Sequence, residues 1–259
     1  LQTTGTCVYQ DEALELLRNA GCTVTEGNRV FIPSALVENS LRTAPSRVTL
    51  GGRNREKKVM LEKNQIYYGT GSDCPFILDP YTGERRRYTF EDVYRAAKIA
   101  DALPHIDFHK SLGLTSDVPI GTYDRHQFFA MLKGTTKPFV ITANDREGLA
   151  DQYEMACTVI GGVDEWKRLP MFVIYIEPSS PLNNSKEAVE KLLYSAANDI
   201  PAIYTPCPIC GATAPVTMAG TLVQALAEYL TGLVIAQLKK KGAAVIMGGV
   251  MSILDMSTT

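Results

Sequence analysis

The chain has 259 residues, 45% of them hydrophobic and 21% charged, with a formal net charge of −2. This composition is ordinary for a globular protein with a sizeable core, and the balance of charge excludes a general nucleic-acid binder, which would carry a basic surplus. Six cysteines are few for this length and read as reduced thiols of a cytoplasmic protein, not as a disulfide framework.

The sequence opens on Leu1-Gln2-Thr3 without Met, so a start and any targeting segment are expected upstream. No run of about 18 apolar residues is evident, because 129–141 and 222–238 are interrupted by Lys, Gly, Glu or Gln; no membrane span is expected.

Asp11–Ala20 has amphipathic helical spacing, with Gly21 as its stop. Cys22–Ile32 carries Glu26-Gly27-Asn28 between two β-leaning runs, a hairpin signal. Ser34–Arg42 reads as a second short helix capped by Ser34. Val48–Leu50 and Val59–Leu61 read as a small antiparallel pair. Residues 1–65 are therefore expected to form an N-terminal helix and hairpin appendage, with 66–259 as the main domain. There Ile66–Gly71 predicts a strand, and a second strand ends at Asp79. Thr89 with Asp92 three residues on has the form of a capping box before the helix Glu91–Leu103.

From here a βα unit recurs about every 30 to 40 residues. Strands are expected near Ile106–Leu112, Pro138–Thr142, Met171–Glu177, Ala202–Thr205 and Ala243–Met247. Helices are expected near Tyr123–Lys133, Arg146–Ile160, Lys186–Asn198 and Val216–Lys239. The strands Met171–Ile176 and Ala243–Met247 are apolar throughout, as parallel strands covered on both faces are. About six such strands fit a complete doubly wound sheet or an incomplete (β/α)8 barrel. The chain stops soon after its last strand with no covering helix, so the expectation is an α/β chain forming a TIM barrel truncated at its C-terminus.

Pro201–Gly220 is the pivotal stretch: a strand, a loop broken by Pro206, Pro208 and Gly211, then a long helix with Thr213 or Ala214 as N-cap and Pro215 in its first turn. Cys207-Pro-Ile-Cys210 lacks the second pair that zinc would need, and it reads as packing in a tight loop. His105, His109 and His126 have no HxH or HExxH partner. No GxSxG or GxGxxG occurs, and no metal site is expected.

What remains is a set of strand ends: Gly71, Ser72 and Asp73; Thr142 and Asn144; Glu177, Ser179 and Ser180; Gly211, Ala212 and Thr213; Gly248, Gly249, Ser252 and Asp255. In a barrel these converge on one mouth. They are small and hydroxylic, with few carboxylates and no strong nucleophile, which suits a site whose nucleophile comes from elsewhere.

The stretches TGERRRYTFEDVYRAAKIADALPHIDF (82–108), IEPSSPL (176–182), PCPICGATAPVTMAGTL (206–222) and MGGVMSILDM (247–256) resemble the trimethylamine methyltransferase family, whose members include pyrrolysine-free relatives acting on glycine betaine. The resemblance runs along nearly the whole chain, and GATAPVTxAGTL after a strand is its most specific part. It implies a (β/α)8 barrel of nearly twice this length. The implied reaction moves a methyl group from a methylated amine to the Co(I) of a corrinoid carried by a separate corrinoid-binding protein. No cofactor is held directly, and a homo-oligomer is left open. The family's pyrrolysine position is expected beyond Thr259.

On this reading Glu177 balances the substrate cation, Tyr175 or Tyr204 offers a ring face, and Gly71, Ser72 and Asp73 complete the amine site. The N–H groups of Gly211, Ala212 and Thr213 take an anion at a helix start. With Gly248, Ser252 and Asp255 they face the corrinoid. Two other readings fit the same residues: a barrel enzyme with a metal or phosphate site in later loops, and a non-catalytic amine-binding barrel.

Overall fold

A computed structural model describes residues 1–71 and 73–258. The chain folds as two compact units, Leu1–Ser46 with Tyr175–Thr259, and Arg47–Ile174, whose boundaries do not follow residue 65. Both are α/β, with helices packed on parallel pairs of short strands.

In the unit Arg47–Ile174, Val48–Gly51 pairs antiparallel with Lys58–Leu61, and the alternation buries Val48, Leu50 and Val59. Phe76–Leu78 pairs antiparallel with Arg85–Arg87. The helix Phe90–Ala102 opens on a reciprocal capping box: the Thr89 hydroxyl accepts from the Asp92 N–H, and the Asp92 carboxylate accepts from the Thr89 N–H at 2.9 Å. Tyr123–Gly134 and Arg146–Ile160 follow as expected, the latter ended by Gly161 at φ 97°, which a side chain would strain. A short helix, Val163–Arg168, comes next and is not marked by periodicity.

Phe139–Ile141 is wholly buried and runs parallel to the first residues of the strand Phe172–Ile176. Phe128 packs edge-on against Phe139 and Phe172, and Trp166 packs against Phe172 and Tyr153, giving the unit an aromatic core. The buried Lys137 ammonium donates to the Ala100 and Leu103 carbonyls, satisfying the end of the helix Phe90–Ala102.

Two expected strands are absent as regular strands. Among the described residues, Ile66–Gly71 and Ile106–Leu112 form one isolated parallel bridge, Gly69 to Phe108, with scattered hydrogen bonds from the Asp107 N–H to the Tyr68 carbonyl and from the Leu112 N–H to the Gly71 carbonyl, while His109 bridges to Phe139. The Thr70 hydroxyl is the reason: it donates to the Lys110 carbonyl at 2.5 Å and accepts from the Lys110 N–H at 2.7 Å, occupying the groups a ladder would use. Gly69 is required here, because a Cβ would overlap the Phe108 ring.

In the other unit, Thr23–Val24 and Arg29–Phe31 form the expected hairpin around Glu26–Asn28. Thr6–Val8 adds to it antiparallel and also pairs in parallel with Asn183–Asn184. The helix Asp11–Asn19 buries Ala13, Leu14 and Leu17. Ser34 is the first residue of the helix Ser34–Thr43 and not its cap: Pro33 holds that position, and the Ser34 hydroxyl turns to Gln2 Oε1.

Ala202–Tyr204 runs parallel to Val245–Met247, and the Thr205 N–H donates to the Ile176 carbonyl at 3.0 Å. Beyond these strands a second small parallel pair forms, Ile209–Cys210 with Ser252–Ile253. The long helix starts at Met218, capped by Thr217, whose hydroxyl accepts from the Gly220 N–H; Thr213 and Ala214 lie in the loop before it. This helix, Met218–Lys239, is long and apolar enough by length and composition to cross a membrane, contrary to the reading of an interrupted run. Here it is a core helix that buries Ala225, Glu228, Thr231 and residues 232–237.

Candidate functional site

Successive side chains alternate across a strand, so Tyr175 and Glu177 leave Phe172–Ile176 on one face while Ile174 and Ile176 are buried on the other. Cys207 follows the neighbouring strand Ala202–Tyr204, between Pro206 and Pro208, whose rings fix the local backbone. The three side chains meet at one atom. The Tyr175 hydroxyl donates to Glu177 Oε1 at 2.7 Å, and the Cys207 thiol donates to the same oxygen at 3.0 Å. Glu177 is exposed, and Tyr175 and Cys207 are half-buried.

Burial, then the neighbouring Glu177, pushes both the Tyr175 phenol and the Cys207 thiol above their ordinary ranges. Both stay protonated at neutral pH and are therefore donors. The nearby backbone of Val250 offsets a small part of the rise at Cys207. Tyr229, its phenol pushed up by burial and then by Cys207 and Glu228, stands against the backbone of Gly249, where a Cβ would overlap its hydroxyl. Met247, Val250 and Met251, at and just beyond the end of the strand Val245–Met247, are exposed.

In the unit Arg47–Ile174 the strand-end residue Asp73 makes a separate network. Its carboxylate accepts from the Ser111 hydroxyl at 2.6 Å, Gln127 Nε2 at 2.9 Å and the Thr142 hydroxyl at 3.0 Å. Gly71 is exposed, and its carbonyl accepts from the Leu112 N–H. The Asn144 N–H is taken by Asp124. Ser72 lies outside the described residues.

Two expectations are corrected. Tyr204 is fully buried, with its hydroxyl bonded to Asn184 Oδ1 at 2.7 Å and its ring against Gly232, so it has no face to offer a ligand. The N–H groups of Gly211, Ala212 and Thr213 do not await an anion: Gly211 donates to the Ala214 carbonyl, and Ala212 and Thr213 donate to the Ile209 carbonyl. The helix begins five residues beyond Thr213, so the loop closes on itself. Gly248 follows Val245–Met247, and Ser252 is exposed in its short strand. Asp255 closes a local turn, with its carboxyl held down at about 2 by hydrogen bonds from Ser257 and Thr258.

A family model described as Trimethylamine methyltransferase (MTTB) matches residues 1–259. The chain belongs to the trimethylamine methyltransferase family. Among relatives, it is 32% identical over 257 residues to "Trimethylamine methyltransferase MttB" of Desulfitobacterium hafniense (strain DSM 10664 / DCB-2), covering 99% of this chain and 52% of that protein. It is 32% identical over 259 residues to "Glycine betaine methyltransferase" of Desulfitobacterium hafniense (strain Y51), covering 99% and 53%. It is 29% identical to "Trimethylamine methyltransferase MttB" of Methanosarcina thermophila, covering 99% and 54%. The chain thus spans about half the length of the curated relatives it matches. Its fold is similar to that in "Crystal structure of the hydroxylamine MtmB complex", with a TM-score of 0.56 at 15% identity over 97% of this chain and 56% of the other.

Within this member of the trimethylamine methyltransferase family, sequence reasoning missed Cys207 as a neighbour of Glu177, Tyr229 as a neighbour of Cys207, and Ser111 and Gln127 as partners of Asp73. The position of Cys207 at a parallel-strand end, one strand over from Glu177, was the available signal; the absence of a second cysteine pair drew it into a packing role. Among the described residues no group of three or more His, Cys, Asp or Glu is placed to hold a metal ion.

Proposed function

We propose that the protein carrying this sequence is a cytoplasmic methyltransferase that moves a methyl group from a methylated amine, trimethylamine or a quaternary amine such as glycine betaine, to a corrinoid carried by a separate protein. The family and the names of its relatives support this reading. The observation that carries it is the fixed Glu177 carboxylate beside the Tyr175 phenol at a strand end. We read the fold as a (β/α)8 barrel to which these residues contribute about six units, with 1–65 as an appendage.

A Co(I) corrinoid supplies a strong nucleophile for the methyl carbon. The work left to this chain is positioning. Glu177 offers a negative charge to the ammonium, and the aromatic ring of Tyr175 adds on the order of 0.5 to 2 kcal/mol if the cation lies over its face. The segment carrying Gly248, Val250, Ser252 and Asp255, together with the loop Gly211, Ala212 and Thr213, is the proposed docking face for the corrinoid protein.

The test is methyl transfer to Co(I) cobalamin, followed by the visible spectrum, for Glu177→Gln in the protein carrying this sequence. The expected result is a KM for the amine raised about tenfold or more, the effect of removing one charge-assisted contact. Unchanged KM and rate would remove Glu177 from the site.

A further inference from the structure

We propose that Cys207 is a positioning residue for Glu177: its thiol and the Tyr175 hydroxyl converge on Oε1, fix the plane of the carboxylate and reserve Oε2 for the substrate cation. This rests on the reading of Glu177 as the amine-binding carboxylate.

A glutamate side chain at a strand end has a soft terminal torsion, so an exposed carboxylate ordinarily swings. Here two donors from two different strand ends reach one oxygen, at 2.7 and 3.0 Å. Oε2 receives no hydrogen bond among the described residues. A donor pair on a single oxygen sets the orientation of the other. The backbone that carries the thiol is itself held, since prolines flank Cys207 on both sides. The Tyr175 hydroxyl stands 3.9 Å from the same sulfur, which closes a triangle of contacts around Oε1.

The arrangement also accounts for a thiol in place of a larger donor. Sulfur reaches the carboxylate from a short side chain and, as a weak donor, withdraws little charge from it. The Glu177 carboxylate therefore keeps its attraction for a cation at Oε2 while losing its freedom to rotate.

The experiment is a double-mutant cycle in the protein carrying this sequence: Cys207→Ala, Cys207→Ser, Glu177→Gln and Cys207→Ala with Glu177→Gln, each assayed for amine KM and kcat, with Tm recorded. Cys207→Val, close to cysteine in volume, replaces Cys207→Ala if the latter fails to fold. Cys207→Ala is expected to raise KM about tenfold with kcat little changed, and Cys207→Ser to stay within about twofold of wild type because its hydroxyl still donates. Glu177→Gln and the double variant should be equally impaired, because the thiol acts only through the carboxylate. Additive losses, equal losses in the Ser and Ala variants, or wild-type kinetics for Cys207→Ala would overturn the positioning role while leaving Glu177 in place. Wild-type kinetics for Glu177→Gln would overturn both readings.

Discussion

The Tyr204 hydroxyl donates to Asn184 Oδ1 at 2.7 Å inside a core that solvent does not reach. The Asn184 amide in turn donates to the Thr6 hydroxyl and the Cys7 carbonyl, each at 2.9 Å, so one buried chain of hydrogen bonds joins three strands. Tyr204→Phe leaves the asparagine oxygen unsatisfied and is expected to cost about 1 to 3 kcal/mol of stability. Amine KM should not move, in contrast to Glu177→Gln. Denaturant midpoints and methyl-transfer kinetics on the same preparation check both halves, and a raised KM at unchanged stability would return Tyr204 to the substrate site.

Glu228 makes a second buried network, fully enclosed on the helix Met218–Lys239. Its Oε1 accepts from the Leu182 N–H and Gln224 Nε2, and its Oε2 accepts from the Ser180 hydroxyl, tying down the loop that follows Glu177. Glutamine can keep all three contacts, with its oxygen facing Leu182 and Gln224 and its amide donating to Ser180, whose hydroxyl also accepts. Glu228→Gln is therefore expected to shift stability by less than about 1 kcal/mol, and Glu228→Leu, which strands three donors, to cost about 3 kcal/mol or more. Thermal melts of both variants decide it; equal losses would show that the charge matters and not the bonding pattern.

Side-chain patterning made much of this legible. Arg146–Ile160 and Phe172–Ile176 announce themselves by periodicity and by continuous apolar character, and Thr89 with Asp92 marks the helix start that the structure contains. The pairing of Tyr175 and Glu177 on one strand face was also available, since period two is a local property. Tyr204 was not assignable, because a parallel strand covered on both faces gives no pattern to tell one face from the other. Ile106–Leu112 failed for a non-local reason: a threonine about 40 residues away takes the N–H and carbonyl of Lys110 in the middle of the stretch, and nothing within the stretch records it. The loop Gly211–Thr213 looked like an anion cradle because glycine and small residues are common to cradles and to tight turns.

The Arg86 guanidinium beside Asp92 holds that carboxyl at about 2, against an ordinary 3.8, and the Thr89 contacts add to it. A depressed carboxylate contributes stability above its unfolded value and loses it as pH falls through the folded one. Asp92→Asn should lower the unfolding midpoint at pH 7. The gap to wild type should narrow as pH drops from about 4 to about 2, where the wild-type group also becomes neutral. Urea titrations at pH 7, 4, 3 and 2 check the closing of the gap; a constant difference would mean that Asp92 acts by shape alone.

His109 has the opposite chemistry and the same sign. Burial, then nearby Lys137, lowers its ring to about 4 from an ordinary 6.5. The Thr70 hydroxyl already donates to the Lys110 carbonyl, so at 3.1 Å it accepts from His109, which places the proton on Nδ1. The remaining nitrogen, Nε2, is buried without a partner among the described residues, and protonating it would create a donor with no acceptor among them. Between pH 6.5 and 4 the unfolded chain binds a proton at His109 that the folded chain refuses, so stability rises with pH across that window. The loss on acidification is on the order of 3 kcal/mol at most. His109→Leu should abolish this pH dependence while lowering stability at pH 7 through the lost Thr70 contact. Urea midpoints at pH 7, 5.5 and 4.5 test it, and a slope in His109→Leu equal to that of wild type would assign the dependence to other groups.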